Sequence, residues 1–475
     1  MTTTSRAGSA PGARIPSTRY IYAFGALGGF LFGFETGVLA GALPFIRDDY
    51  PSITATEVGL IVAALAVGAI FGAAASGRLS DRIGRRRVLL VLGVVFIAGS
   101  LASAISAGTS TLILSRLVLG VGVGGASALV PVYLAEMAPA HARGRLGGLN
   151  QLMLVTGILA GYLVNLVLDP TGNWRAMLAT GAVPALALVL GTIRLPESPR
   201  WLVTHGREDE ARTLLTATHG AGAWAELDQI RAIAAEPTER GALRSRWVRP
   251  ALVVGIGLAI LTQLNGTNAI SYYAPTILEN VGFGSGVAIL TTVGLGVVKV
   301  VFVALGLLLI DRVGRKFLLV LGNVVMGLSL LGLALAARAE HPSGILLVLF
   351  MALFLAGNEV GWGPTFWVLM GEIFPLRIRG AAMGVASMAV WIATAGVAFA
   401  FPVMLDGIGL SASMFIFAAL NACAVVFGMR YVTETKGQTL EEIERNLQGH
   451  GQGKGSAPAE QEPLMTKTSG TEVQA

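Results

Sequence analysis

Long apolar runs limit what this chain can become before any single residue is weighed. Charged punctuation divides the sequence into twelve stretches, near 20–44, 57–77, 88–107, 111–135, 146–168, 174–195, 251–278, 286–310, 317–337, 344–370, 380–404 and 411–431. Each is of the order of the 20 residues that cross a hydrocarbon core of about 30 Å as a helix. A soluble globule of 475 residues needs more polar surface than 13% charged residues supply. With 54% hydrophobic residues and a mean hydropathy of +0.69, the chain belongs in a bilayer. The runs are continuous and do not alternate with period two, so they predict helices and exclude a membrane barrel. The 62 glycines suit close helix packing, as in GVGVGG at 120–125.

The chain also repeats itself. GRLSDRIGRRR at 77–87 is answered by DRVGRK at 311–316, placing Asp81 and Asp311 230 residues apart. Glu136, Pro139, Arg143 and Gly144 recur at identical spacing as Glu372, Pro375, Arg379 and Gly380, and PESPRWL at 196–202 is answered by TETKGQTLEE at 433–442. Self-similarity on this scale in so apolar a chain points to a transporter built from two halves. The expected organisation is a tail at 1–19, a six-helix bundle at 20–195, a polar linker at 196–250, a second bundle at 251–432 and a tail at 433–475. REDEARTLL and AELDQIRAI in the linker have the apolar spacing of short amphipathic helices. The Gly-, Pro- and Gln-rich stretch after 447 reads as disordered.

Arg82, Arg85, Arg86, Arg87, Arg143, Arg145, Arg312, Arg315, Lys316, Arg377 and Arg379 fall in loops of one parity, whereas the opposite loops hold Arg47, Arg175 and Arg338. By the positive-inside rule both termini are expected in the cytoplasm. The net charge of +6 then reflects topology and implies no nucleic-acid partner. No secretory signal is evident, because the first apolar run is long and follows about 19 polar residues. Cys423 is alone and the five histidines are scattered through loops and tail, so neither a disulfide nor a metal site is expected. GVGVGG lies inside an apolar run with no strand before it, which argues against a dinucleotide loop, and no Walker sequence is present to drive transport with ATP. With no nucleophile, base and orienter in view, the chain is expected to be no enzyme and to need no cofactor.

FGFETGV at 32–38, SRLVLGVGVG at 115–124, PVYLAEMAPAHARGR at 131–145, QLNGTNAISYYAP at 263–275 and WGPTFWVLMGEIFP at 362–375 join the repeated motifs in an order that resembles the sugar porter branch of the major facilitator superfamily. The resemblance spans nearly the whole membrane portion. It implies an all-α membrane protein of twelve helices in two six-helix bundles, acting as a monomer in the cell membrane. A central site would open alternately to either side.

Charges at helix ends can form ion pairs that bias a conformational equilibrium without adding net stability. Asp81, Arg85, Glu136, Arg143, Asp311, Arg315, Glu372 and Arg379 are expected to form such a gating latch on the cytoplasmic side, favouring in family terms the outward-facing state. Positive-inside anchoring accounts for the arginines but not for the four spaced acids. Deeper charges carry a desolvation cost and are functional candidates. Glu35 sits mid-helix where proton-coupled members of the family carry Asp, and Arg116 matches the arginine that pairs with that acid. Together they are read as the proton-coupling pair, against the alternative of a static ion pair.

By resemblance Gln263, Asn268, Tyr272 and Trp362 line the solute pocket, as amides and an aromatic face suit a polyhydroxylated ring. Helix packing or an interfacial belt is the other reading of Trp362. Thr262, Ile158 and Val390 stand where many members place glutamines, so the pocket is less amide-rich than a generic sugar site. Lys299 stands where sugar-binding relatives usually show an uncharged polar residue. Two readings of Lys299 and Glu359 remain open at this stage: an internal ion pair shaping the cavity, or direct contact with a charged group of the substrate. The leading function is proton-coupled import of a sugar, an inositol-like polyol or a related metabolite. The alternatives are a proton antiporter exporting a cationic or zwitterionic sugar-like compound, and a non-transporting membrane sensor.

Overall fold

The structure, a computed structural model, describes residues 17–138, 143–235, 248–374 and 379–436. Among them the first half comprises α1 (Thr18–Gly25), α2 (Leu27–Asp49), α3 (Ala55–Ile83), α4 (Arg85–Ala104), α5 (Thr109–Met137), α6 (Arg143–Leu168), α7 (Trp174–Ala179) and α8 (Ala182–Arg194). Three short helices follow: α9 (Pro199–Thr204), α10 (Glu208–His219) and α11 (Ala223–Ala235). The second half comprises α12 (Arg249–Leu264), α13 (Thr267–Asn280), α14 (Ser285–Val313), α15 (Arg315–Ala336), α16 (Gly344–Ile373) and α17 (Arg379–Tyr431). In a solvent that offers no hydrogen bonds a helix satisfies its own backbone, which is why apolar runs of this length become helices.

Eleven helical segments among the described residues are long and apolar enough to cross a membrane. The last, Ala381–Tyr431, has 51 residues, about twice what one crossing needs. It turns at Gly409, where φ is 80°, giving the twelve crossings that the apolar runs predict. The crossings are less regular than the sequence suggests. α12 gives way to α13 at Asn265–Gly266, where Gly266 has φ 95°, and α7 gives way to α8 at Thr180–Gly181.

The glycine inside the repeated basic motif has a structural reason in both halves. Gly84 (φ 99°) turns α3 into α4 and Gly314 (φ 110°) turns α14 into α15, a backbone conformation that side chains with a Cβ resist. A Cβ there would also come within 2.2 Å of Glu197 and 2.6 Å of Glu434. These two carboxylates cap the helices that follow. Glu197 accepts from the backbone N–H of Arg85 at 2.8 Å, and Glu434 from those of Arg315 at 3.0 Å and Lys316 at 3.1 Å. Orphan donors and the positive end of each helix are met together.

Within the first half, glycines let backbones touch. A Cβ on Gly33 would lie 1.8 Å from the Leu154 carbonyl oxygen, and one on Gly120 would lie 2.0 Å from that of Leu65, so α2 packs on α6 and α5 on α3 without intervening side chains. The halves meet where α2 packs against α13, α3 against α17 and α6 against α14 and α16. The ends that carry Arg85 and Arg315 form what is here termed the basic face. At the opposite face one buried apolar cluster runs through both halves, with Leu39, Leu43 and Ile46 of α2 and Ile277 and Leu278 of α13. At the basic face, α5 and α16 are not packed on one another among the described residues. The halves are therefore joined by apolar packing at the opposite face, and α6 also meets α14 toward the basic one, where Gly148 faces Leu307.

α9 is fastened to the basic face by Trp201, whose indole N–H donates to the Asp81 carbonyl at 3.1 Å. Arg231 of α11 binds both oxygens of Glu208 of α10, at 2.6 and 3.0 Å, and holds that exposed carboxyl below the usual carboxylate range. The tails expected at 1–19 and 433–475 lie largely outside the described residues, as do Pro139, Pro375 and 236–247.

Candidate functional site

Two buried ion pairs occupy the membrane core. In the first half, Arg116 of α5 donates through Nη1 to Oε1 of Glu35 on α2 and through Nε to the Ile61 carbonyl at 3.3 Å. The two side chains are 0% and 1% exposed. The pair is incompletely bonded, since Glu35 Oε2 and Arg116 Nη2 are buried with no hydrogen-bond partner. Next to Glu35, the Thr36 hydroxyl donates to the phenolic oxygen of Tyr272 at 3.3 Å, so this edge of α2 is bonded to α13 of the other half.

The second pair lies in the other half. Lys299 Nζ of α14 is 3.0 Å from Glu359 Oε1 of α16 and donates to Ser271 Oγ of α13 at 3.2 Å. Asn358 Nδ2 donates to the same Glu359 oxygen at 3.2 Å, and Gln151 Nε2 of α6 reaches Oε2 at 3.5 Å across the cleft. Lys299 and Glu359 are thus bonded to one another. A chain of polar groups runs from it to the α12–α13 break. Asn358 Oδ1 accepts from Thr267 Oγ1 at 2.8 Å and Asn265 Nδ2 at 3.3 Å, while Asn421 Nδ2 donates to the Asn265 carbonyl at 2.9 Å. Backbone freed by a broken helix is tolerated at membrane depth where side chains satisfy it in this way.

Gln263 and Asn268 flank that break and are half-buried. Asn268 Nδ2 donates to Gln263 Oε1 at 2.7 Å, and that oxygen also accepts from Thr394 Oγ1 at 3.0 Å. The structure thus joins Gln263 to Asn268 and Lys299 to Glu359, with Tyr272 bonded to α2 and Glu359 reached from α6. Trp362 is placed differently from the pocket role expected of it. Its indole N–H donates to Asn323 Oδ1 of α15 at 3.1 Å and its ring is 2% exposed, so its polar atom is spent inside the second half. Trp391 of α17 instead packs against Phe32 of α2 across the cleft, with ring centroids 5.1 Å apart. Gln151, Asn358, Ser271 and Thr394 escaped the sequence reading. Gln151 alone had left a signal, lying seven residues before Ile158 and hence on the same helix face.

At the basic face the repeated motifs form matching networks. Arg85 binds Asp81 at 3.0 Å and both oxygens of Glu136 at 3.0 and 3.1 Å; Arg315 binds Asp311 at 3.1 Å and Glu372 at 3.3 Å. Ser198 and Thr435 complete the match by donating hydroxyls to Glu136 and Glu372, each at 2.5 Å. Each network joins helices of one half. The side chains of Arg143 and Arg379 lie outside the described residues. Glu197, Ser198, Glu434 and Thr435 fall in the third repeat, to which the sequence alone gave no role.

The family model described as "Sugar (and other) transporter" matches residues 21–447. The chain is 46% identical over 433 residues to the probable metabolite transport protein CsbC of Bacillus subtilis, covering 90% of this chain and 94% of that one. It is 40% identical over 433 residues to the glucose transporter GlcP of Staphylococcus epidermidis, covering 90% and 96%. Its fold is similar to that of the xylose transporter XylE from E. coli in a partially occluded inward open conformation, with a TM-score of 0.78, 31% identity and coverage of 89% and 99%. The fold and the paired networks are those of a major facilitator. The chain belongs to the sugar (and other) transporter family.

Proposed function

We propose that the chain carries a neutral sugar, polyol or related small hydrophilic solute into the cell together with a proton, by alternating access. One observation carries the proton coupling: a buried carboxylate, Glu35, is only half-bonded to Arg116 and sits beside the Thr36–Tyr272 bond that joins α2 to the half-helix α13. Protonating Glu35 releases Arg116 at the seam that must open for the cleft to face the other side. Gln263, Asn268 and Tyr272, with Gln151 and Glu359, offer the amides, hydroxyl and carboxylate that a polyhydroxylated solute needs. A solved relative is titled a proton:xylose symporter, which supports the same reading.

The arginines of the basic face support a cytoplasmic position for that face and for the described ends of the chain, and the protein is read as a monomer in the cell membrane. The networks of Asp81, Arg85 and Glu136 and of Asp311, Arg315 and Glu372 brace each half at that face. The closure of Lys299 upon Glu359 removes the free charge that an exporter of cationic metabolites would require.

Proteoliposomes given D-xylose, D-glucose or myo-inositol under an imposed pH gradient test the coupling. Glu35→Gln is expected to abolish gradient-driven accumulation and to retain counterflow exchange. Loss of both would show that Glu35 is needed for binding or movement itself.

A further inference from the structure

The two core ion pairs are bonded in opposite ways. Glu35 and Arg116 each leave a buried atom without a partner. Lys299 and Glu359, 2% and 1% exposed, leave none: both carboxylate oxygens and the ammonium have partners in Asn358, Gln151, Ser271 and each other. A buried carboxylate with its charge matched and its bonds filled loses most by taking a proton, and a half-bonded one loses least. We infer that Lys299 is a built-in counter-ion that takes the place of a proton at Glu359. Glu359 then remains a permanent charge-assisted acceptor for a solute hydroxyl, and Glu35 alone carries the transported proton. This rests on the proton-coupled reading above.

The surroundings of Glu359 leave Lys299 as its only charged neighbour among the described residues. α6 presents Gln151 and the phenol of Tyr162, whose O–H donates to the Ser271 carbonyl at 2.8 Å. The break and α13 present Asn265, Thr267, Ser271 and Tyr272. α12 and α15 carry charge only near their ends, at Arg249, Arg315 and Lys316, and α17 carries it at Arg379 and Arg430 at its ends and at Asp406 beside its turn at Gly409. Glu359 Oε2 has the long 3.5 Å contact to Gln151 as its one bond, and it lies where the halves face one another. A solute hydroxyl entering there would donate to Oε2 and accept from Gln151 Nε2. Because Lys299 cancels the carboxylate charge, an ammonium group on the solute gains little at this position.

Melting of the purified full chain tests the counter-ion without knowledge of the solute. It is followed between about pH 5 and about pH 9, the window between ordinary carboxylate and ordinary lysine titration. In Lys299→Met the buried Glu359 must carry a proton to stay folded, so the melting temperature is expected to fall as pH rises relative to wild type. In Glu359→Gln the buried Lys299 must shed one, so the melting temperature is expected to fall as pH falls. The double variant is expected to follow the wild-type slope. Should one single variant fail to fold, the slope of the other against the double variant decides. Wild-type slopes in the single variants would overturn the inference.

In proteoliposomes supplied with D-xylose, D-glucose and myo-inositol, wild type is expected to move one proton per solute and Lys299→Met, whose Glu359 keeps its proton, the same number. Two protons per solute in Lys299→Met would show that Glu359 releases its proton in each cycle and would overturn the assignment of the transported proton to Glu35 alone. No proton movement in wild type would instead strike the proton-coupled reading, leaving the melting slopes to judge Lys299 separately.

Discussion

Gln151 and Trp362 make opposite demands on the eye. Gln151 is an unremarked amide in an apolar helix, yet it is the first-half residue that reaches Glu359 across the cleft. Trp362 is the conspicuous aromatic, yet its N–H is bonded to Asn323 away from the cleft. Gln151→Ala is expected to raise the concentration of sugar needed for half-maximal uptake by about 2- to 10-fold, the loss of one hydrogen bond worth about 0.5–1.5 kcal/mol. Trp362→Phe leaves the buried Asn323 oxygen unpaired and is expected to destabilise by about 1–3 kcal/mol, read as a lower melting temperature, with sugar affinity kept. A large affinity loss in Trp362→Phe would return that residue to the pocket. The sequence identified charges well because each is anomalous in an apolar run: Glu35, Arg116, Lys299 and Glu359 all proved paired and buried. It could not say which way a tryptophan faces, since that depends on Asn323, a partner 39 residues away.

At the scale of helices, the charge repeats were legible as repeats and only half legible as structure. Asp81, Arg85 and Glu136 meet as expected, and so do Asp311, Arg315 and Glu372. The spacing hides what the third repeat does. Glu197 and Glu434 come from distant segments to cap α4 and α15, and the adjacent Ser198 and Thr435 close each network. Glu197→Ala and Glu434→Ala are each expected to lower stability by about 0.5–2 kcal/mol, as for other lost helix caps, with faster amide exchange in the first turn of α4 or α15 respectively. An effect in one half only would contradict the matched design. The break between α12 and α13 was equally hidden, because the Asn265 carbonyl is satisfied by Asn421 from α17 and the side chains of Asn265 and Thr267 are held by Asn358 from α16. Sequence-local signals report where a helix is apolar. They do not report who will bond its broken backbone.

For the whole molecule, twelve crossings and a two-half plan followed from apolar length and repetition alone, since a bilayer permits few alternatives. The geometry adds a seam between the halves. α2 and α13 are packed through apolar side chains at one face, and the networks of the basic face are made within each half. Movement between states must therefore trade the α2–α13 contact, with its Thr36–Tyr272 bond, for contacts between the basic ends of the halves. Under the proposed function, it is the protonation of Glu35 that governs that trade. Simultaneous recording of sugar and proton flux in the same proteoliposomes is the most direct measure of it. On addition of D-xylose, D-glucose or myo-inositol, wild-type protein is expected to alkalinise the outer medium in step with sugar entry, and Glu35→Gln to admit sugar without that signal. Sugar accumulating in wild-type vesicles with no accompanying proton would contradict the account.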